Sequence, residues 1–228
     1  MNVCLISYTQ PSYDFLENNE LDDADVQDLI AFCARVSNPS NQMNKETSEK
    51  LIKYLIKHAH WSPLEMVNAV LEIETTRDIA HQIVRHRSFS FQEFSQRYAK
   101  PEDQGDMFEY SEARLQDPKN RQNSIQTENI ELHHQWLDLQ EEVAVHSKEI
   151  YDWAIEQGIA KEVARKVLPE GLTKTRLYMN GTIRSWVHYI ELRGGHGTQK
   201  EHMDIAHACA KVIAGVFPLA KDMFNGST

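Results

Sequence analysis

Residues Arg85–Tyr98 read RHRSFSFQEFSQRY. Arg85, His86, Arg87 and Arg97 stand among serines and aromatics, and Glu93 is the only acid in the stretch. Cations set this closely usually face an anion, and the residues just upstream say how they are carried. VNAVLEIETT, residues 67–76, reads as a strand, and Thr75 or Thr76 at its end can cap a helix through RDIAHQIVRHR, residues 77–87. With Ile79 and Ile83 on the buried side, that helix places Arg85 and Arg87 in its last turn, where the dipole favours cations. Helix electrostatics alone therefore accounts for part of the cluster.

Outward from this block the elements alternate irregularly. NVCLISY (2–8) reads as a short strand, and LDDADVQDLIAFCARVSN (21–38) as an amphipathic helix with acids in its first turn. NKETSEKLIKYLIKHAH (44–60) reads as a second helix, and Ser62, Pro63 and Glu65 form a capping-box pattern that should start a helical turn. Residues 99–123 are polar and loop-like, and residues 124–158 read as one long helix. In it Leu132, Trp136, Leu139, Val143, His146 and Ile150 repeat at spacings of four and three, a seam for a partner helix in which His146 should be packed. IAKEVARKVLPEG (159–171) is a shorter helix, TKTRLYMNG (173–181) alternates like a strand, and TIRSWVHYIELR (182–193) and residues 198–217 close the chain as helices. Without a regular βαβ rhythm the class is α+β, a mixed sheet packed with helices, one of them long.

The chain has 228 residues, enough for one domain with a substantial core, so 1–228 is expected to be a single domain. A net charge of −10 argues against a nucleic-acid polymer as partner, since such proteins gain affinity by releasing counterions from a basic face. Cys4, Cys33 and Cys209 contain no CxxC pair, which suggests a reducing, cytoplasmic setting. No apolar run approaches the ~20 residues that span a bilayer, so no membrane is expected.

Eleven histidines raise the question of a metal, but no HExxH motif occurs, and His81/His86 and His202/His207 are each five apart, which splits them between helix faces. No metal site is expected. RGGHG (193–197) is neither a Walker loop nor a dinucleotide fingerprint, so any nucleotide must be held by side chains. Arg85, Arg87, Arg97, Arg165, Arg184 and Arg193 are the candidates, because a guanidinium fork matches phosphate and the edge of a pyrimidine ring.

Taken in order along the chain, these blocks carry a resemblance. Arg85-His86-Arg87, seven intervening residues and then Ser95 is similar to the RHR-x7-S signature of the flavin-dependent thymidylate synthases. HWSPLE upstream, ARKVLPE downstream, and TIRSWVHYIELR followed by Gln199 and Glu201 match in the same order. The resemblance implies methylation of dUMP to dTMP, with methylenetetrahydrofolate as carbon donor, FAD as hydride carrier and NADPH as reductant. It implies a thymidylate synthase-complementing-protein fold and a homotetramer with active sites between subunits. Transferred position by position, it implies flavin contacts from Ser62, Glu65, Arg85, His86, Arg87, Glu93, Thr182, Ile183, Arg184 and His188. It implies dUMP contacts from Gln82, Arg85, Glu93, Phe94, Ser95, Gln96 and Arg97, from Arg165 of a neighbouring subunit, and from Arg193 at the uracil ring.

The chemistry agrees from below. Methylation at C5 of uracil needs electron density there, and the cysteine-dependent synthases obtain it by thiolate attack from a Pro-Cys-His element. No cysteine here follows a proline or precedes a histidine. Arginine is no base, but Arg193 can stabilise charge spreading from N3 to O4, making C5 nucleophilic with no covalent enzyme bond. Gln92 and Thr182 stand where the family commonly has Asn, and Gly197 where His is frequent. These departures motivate the alternative of a flavin- or nucleotide-binding module without turnover.

Overall fold

The structure, a computed structural model, describes residues 1–220. Strand β1 (Asn2–Tyr8) leads to α1 (Tyr13–Asn18), and α2 (Val26–Ala34) starts where Asp25 and Asp28 exchange side-chain to backbone hydrogen bonds. α3 (Ser48–Lys57) and a 3-10 turn over Ser62–Met66 precede β2 (Asn68–Thr76), α4 (Arg77–Ile83) and β3 (Ser90–Glu93). A hairpin of β4 (Arg114–Gln116) and β5 (Ser124–Gln126) comes before the long α5 (Ile130–Glu156). The short α6 (Lys161–Ala164) runs on as a 3-10 turn over Arg165–Val167. β6 (Lys174–Thr182), α7 (Ile183–Arg193) and α8 (Lys200–Val216) follow.

The main sheet has the order β1-β2-β6-β3 and every pairing in it is antiparallel, so the expected mixed sheet is corrected to an antiparallel one. Alternation on the two central strands decides its faces. Ala69, Leu71 and Ile73 of β2 and Leu177 and Met179 of β6 are buried against α7 and α8, with Trp186, Ile190, Ile205 and Ile213. The opposite face is polar: Arg176 reaches Glu74 at 2.6 Å. Trp186 is wholly buried, and its indole N–H finds the Ala69 carbonyl at 3.1 Å, which settles its one polar atom.

Several local expectations change, each for a packing reason. The helix expected to reach Arg87 ends at Ile83, and Arg85 and Arg87 lie beyond it in a turn. What stops it is Phe89, whose ring packs edge-on to Trp186 at 4.9 Å over Gly181, where a Cβ would overlap that ring. Thr76 takes the N-cap place of α4, but its hydroxyl donates to the Asp78 carboxylate instead of accepting from the helix. The Ser62–Glu65 capping box does not form, because Trp61 is already helical and Glu65 is drawn to Arg184. Residues 124–126 are strand, not helix; they pair with 114–116, and Asn129 caps α5 by accepting from the Leu132 amide at 3.0 Å.

α5 meets its own chain through Gln140, Ala144, Ser147, Tyr151 and Ala154, small or hydrogen-bonding residues that let the backbone come close. The apolar seam expected one position away is instead exposed at Leu132, Trp136, Leu139, Val143 and Ile150. His146, expected to be packed, is open to solvent, with its Nδ1 3.7 Å from Glu149.

Candidate active site

Both central strands run into helices without a loop, β2 through Thr76 into α4 and β6 through Thr182 into α7. The register pairs Thr76 with Lys174 and Asn68 with Thr182, so the two helices start at opposite ends of the sheet. They run back over its apolar face, and their far ends meet. There Arg193 donates its Nε–H to Nε2 of His86 at 2.9 Å. Arginine can only donate, so His86 accepts at Nε2 and carries its proton on Nδ1. Burial, then Arg193, then Arg85 lower the His86 pKa and keep the ring in this neutral form. The same ring stands edge-on to Tyr189 at 5.0 Å. Gln82, in the last turn of α4, belongs to this group: its amide donates to Gln199 at 2.8 Å and its carbonyl oxygen lies 3.2 Å from His202.

A second group lines a cleft of its own. A cleft of about 210 Å³ is lined by Arg77, Gln96, Arg165, Lys166, Glu170 and Thr173, among others. Gln96 is 3% exposed, and its Nε2 has no partner, a buried donor without an acceptor. Glu93 takes Arg77 at 3.3 Å and the Thr175 hydroxyl at 3.0 Å on a single oxygen, so the structural role is met while the second oxygen is left. The Phe94 amide extends the strand to the Arg176 carbonyl at 2.8 Å. Ser95 accepts from the Arg97 amide at 3.4 Å, and Arg97 lies 3.5 Å from Glu162. Arg165 thus shares a cleft with Gln96 of its own chain. Among the described residues no hydrogen bond or ion pair joins Gln96 or Arg165 to Gln82, Arg85, His86 or Arg193.

A third group collects where the Ser62–Met66 turn meets the start of α7. Glu65 pairs with Arg184, and Trp61 packs against His188 with ring centroids 4.5 Å apart. Thr182 caps α7, its hydroxyl accepting from the Ser185 amide at 3.1 Å, which is the task an Asn would perform there. Ile183 has its side chain in the core and its amide on the Val67 carbonyl, so that side chain reaches no ligand. Arg184 keeps a buried Nε with no partner. An unmet guanidinium donor beside aromatic faces suits a group with both a ring system and phosphates, and these residues fit a flavin. Gln92 is an exposed residue of β3, and Gly197 has φ +93, a region where glycine is favoured over histidine.

Arg77, Tyr189 and His202 belong to these groups but escape the sequence reading. Only His202 left a signal, a polar residue on the stripe His202, Ile205, Cys209 that the last helix buries.

Fold and site together define a protein with an antiparallel sheet, helices on its apolar face, and guanidinium groups gathered at helix ends. The family model described as thymidylate synthase complementing protein matches residues 21–219, and the chain belongs to that family. It is 48% identical over 218 residues to a probable flavin-dependent thymidylate synthase of Paramecium bursaria Chlorella virus 1, covering 96% of both chains. It is 47% identical over 218 residues to the flavin-dependent thymidylate synthase of Synechocystis sp., again with 96% of each covered. Among solved structures, the UMP/dUMP methylase PolB from Streptomyces cacaoi, bound with 5-Br dUMP, superposes with a TM-score of 0.77 at 22% identity. That match covers 99% of this chain and 94% of the other, and it supports the fold.

Proposed function

We propose that this chain is a flavin-dependent thymidylate synthase that converts dUMP to dTMP, taking carbon from methylenetetrahydrofolate and reducing equivalents from NADPH through FAD. Residues 1–228 would form one domain, and a homotetramer would complete the site. The observation that carries the proposal is the Arg193–His86 bond: it occupies Nε and leaves the guanidinium fork free for the edge of a pyrimidine. From that position Arg193 would stabilise negative charge spreading over N3 and O4, raising the nucleophilicity of C5.

The cysteines support a route without a thiolate. Cys209 is completely buried and burial pushes its thiol pKa up, Cys33 is raised by the same cause, and Cys4 lies on the exposed strand β1. FAD would be held by Ser62, Glu65, Thr182, Arg184 and His188, with Arg85, His86 and Arg87. When bound, it would supply the hydride that reduces the transferred methylene to methyl, chemistry no side chain offers. The protein's own work is to orient substrate and bear charge. Arg165, Gln96 and the segment 93–97 would grip dUMP from one subunit, while Gln82, Arg85 and Arg193 would come from another. The absence of any hydrogen bond or ion pair between the two groups among the described residues supports this division.

The test is NADPH consumption that depends on both dUMP and methylenetetrahydrofolate, with dTMP as product. Purified protein that binds flavin and dUMP but forms no dTMP would sink the proposal.

A further inference from the structure

A chain of hydrogen bonds runs from α8 into α4, and its polarity is set at one end. Glu201 is held by Arg114 at 2.5 Å; burial alone would raise its carboxyl pKa, but Arg114 outweighs that and the net shift is downward. An ionised carboxylate can only accept. Gln199 must therefore turn its amide nitrogen to Glu201, at 3.1 Å, and show its carbonyl oxygen to Gln82. Gln82 in turn gives an N–H to Gln199 at 2.8 Å and shows its own carbonyl oxygen to His202. His202 must then donate from Nδ1, across 3.2 Å. Its Nε2, on a ring buried to 0% exposure, is left to accept from the Tyr189 hydroxyl at 3.1 Å. Every link has one consistent direction, and both of the carboxamide's outward options are fixed. The Gln82 oxygen is taken by His202, while the second hydrogen on its nitrogen remains free.

We propose that His202, oriented by Tyr189, is a positioning residue for the dUMP site: it holds the Gln82 carboxamide so that substrate meets an N–H donor and not a carbonyl. The inference rests on the reading of Gln82 as a dUMP contact. Without His202 the carboxamide keeps only its bond to Gln199 and can swing about it, which moves its second N–H off the line to an acceptor on the substrate. The position puts an imidazole at the head of an otherwise apolar stripe, Ile205, Cys209 and Ile213, near the start of α8.

The experiment measures dUMP KM and kcat on flavin-loaded holoenzyme for His202→Leu, His202→Asn, Tyr189→Phe, Gln82→Leu and the double variant Gln82→Leu/His202→Leu. We expect His202→Leu to raise KM about tenfold with a much smaller change in kcat, and Tyr189→Phe, which keeps its packing, about threefold. His202→Asn retains a donor at the Nδ1 place and should return KM to within about threefold of wild type. The double variant should be no worse than Gln82→Leu alone, as expected when one residue acts through the other. Additive effects in the double variant, or unchanged KM in Tyr189→Phe alongside a raised KM in Gln82→Leu, would overturn the inference while leaving the dUMP reading intact. An unchanged KM in Gln82→Leu would overturn the reading of Gln82 and the inference with it.

Discussion

Arg193, at the end of α7, gives its Nε–H to Nε2 of His86 at 2.9 Å, so the turn after α4 holds the guanidinium that α7 carries. A lysine cannot reproduce this, because it has no second nitrogen to keep one donor on His86 while offering a planar fork. Arg193→Ala and Arg193→Lys should both lose at least about a hundredfold in kcat/KM. A steady-state assay with dUMP as varied substrate checks this, and an intact rate in Arg193→Ala would remove the mechanism.

Protonated His86 would turn an N–H toward Arg193 and end that bond. Because burial and the two arginines lower its pKa, the neutral ring persists below the ordinary histidine range near 6.5. The acid limb of kcat/KM should therefore lie below pH ~6.5 and change shape in His86→Gln. A limb above pH 7 in wild type would contradict the geometry.

His202 has its pKa pushed down to about 3 by burial first and then by Arg193 and His86. The folded form binds its proton less readily than the unfolded chain, so the neutral imidazole contributes stability that is fully present above pH ~6.5 and lost as pH falls toward 3. Within that window the loss is about 1.4 kcal/mol per pH unit from this group. Denaturant titrations at pH 7, 6 and 5 should show a slope that flattens in His202→Asn.

Gln96 keeps a buried Nε2 without an acceptor, a burden of about 1–3 kcal/mol in the ligand-free protein. Gln96→Met should melt no lower than wild type and bind dUMP more weakly. Calorimetric melting with and without dUMP separates these, since wild type should gain more from the nucleotide than the variant does.

Trp136 on α5 is exposed within an apolar stripe that the described residues leave uncovered. Trp136→Glu should lower the mass found by light scattering and abolish turnover together. A fully active monomer would show that one chain completes the site.

How much of this was legible beforehand follows from physical causes. The strands β2 and β6 were readable because each alternates against one buried face. The reach of α4 was not, since the dipole's preference for Arg85 and Arg87 in a last turn gave way to the packing of Phe89 on Trp186. The α5 seam was visible as periodicity, yet among the described residues nothing covers it. The arginines were findable as residue types in order, but not their grouping: Gln96 and Arg165 share a cleft only once α6 has folded back toward the 93–97 segment. His202 stood out only as a polar residue on an apolar stripe, and its role was hidden because its neighbours Gln82 and Tyr189 come from other parts of the chain.

Gly181 on β6 leaves the hollow into which the Phe89 ring descends, and that ring anchors the turn bearing His86. Positions 89 and 181 are therefore free to change only as a complementary pair. A single added methyl at position 181 would push the turn outward and pull His86 away from Arg193, silencing the enzyme from beneath its site.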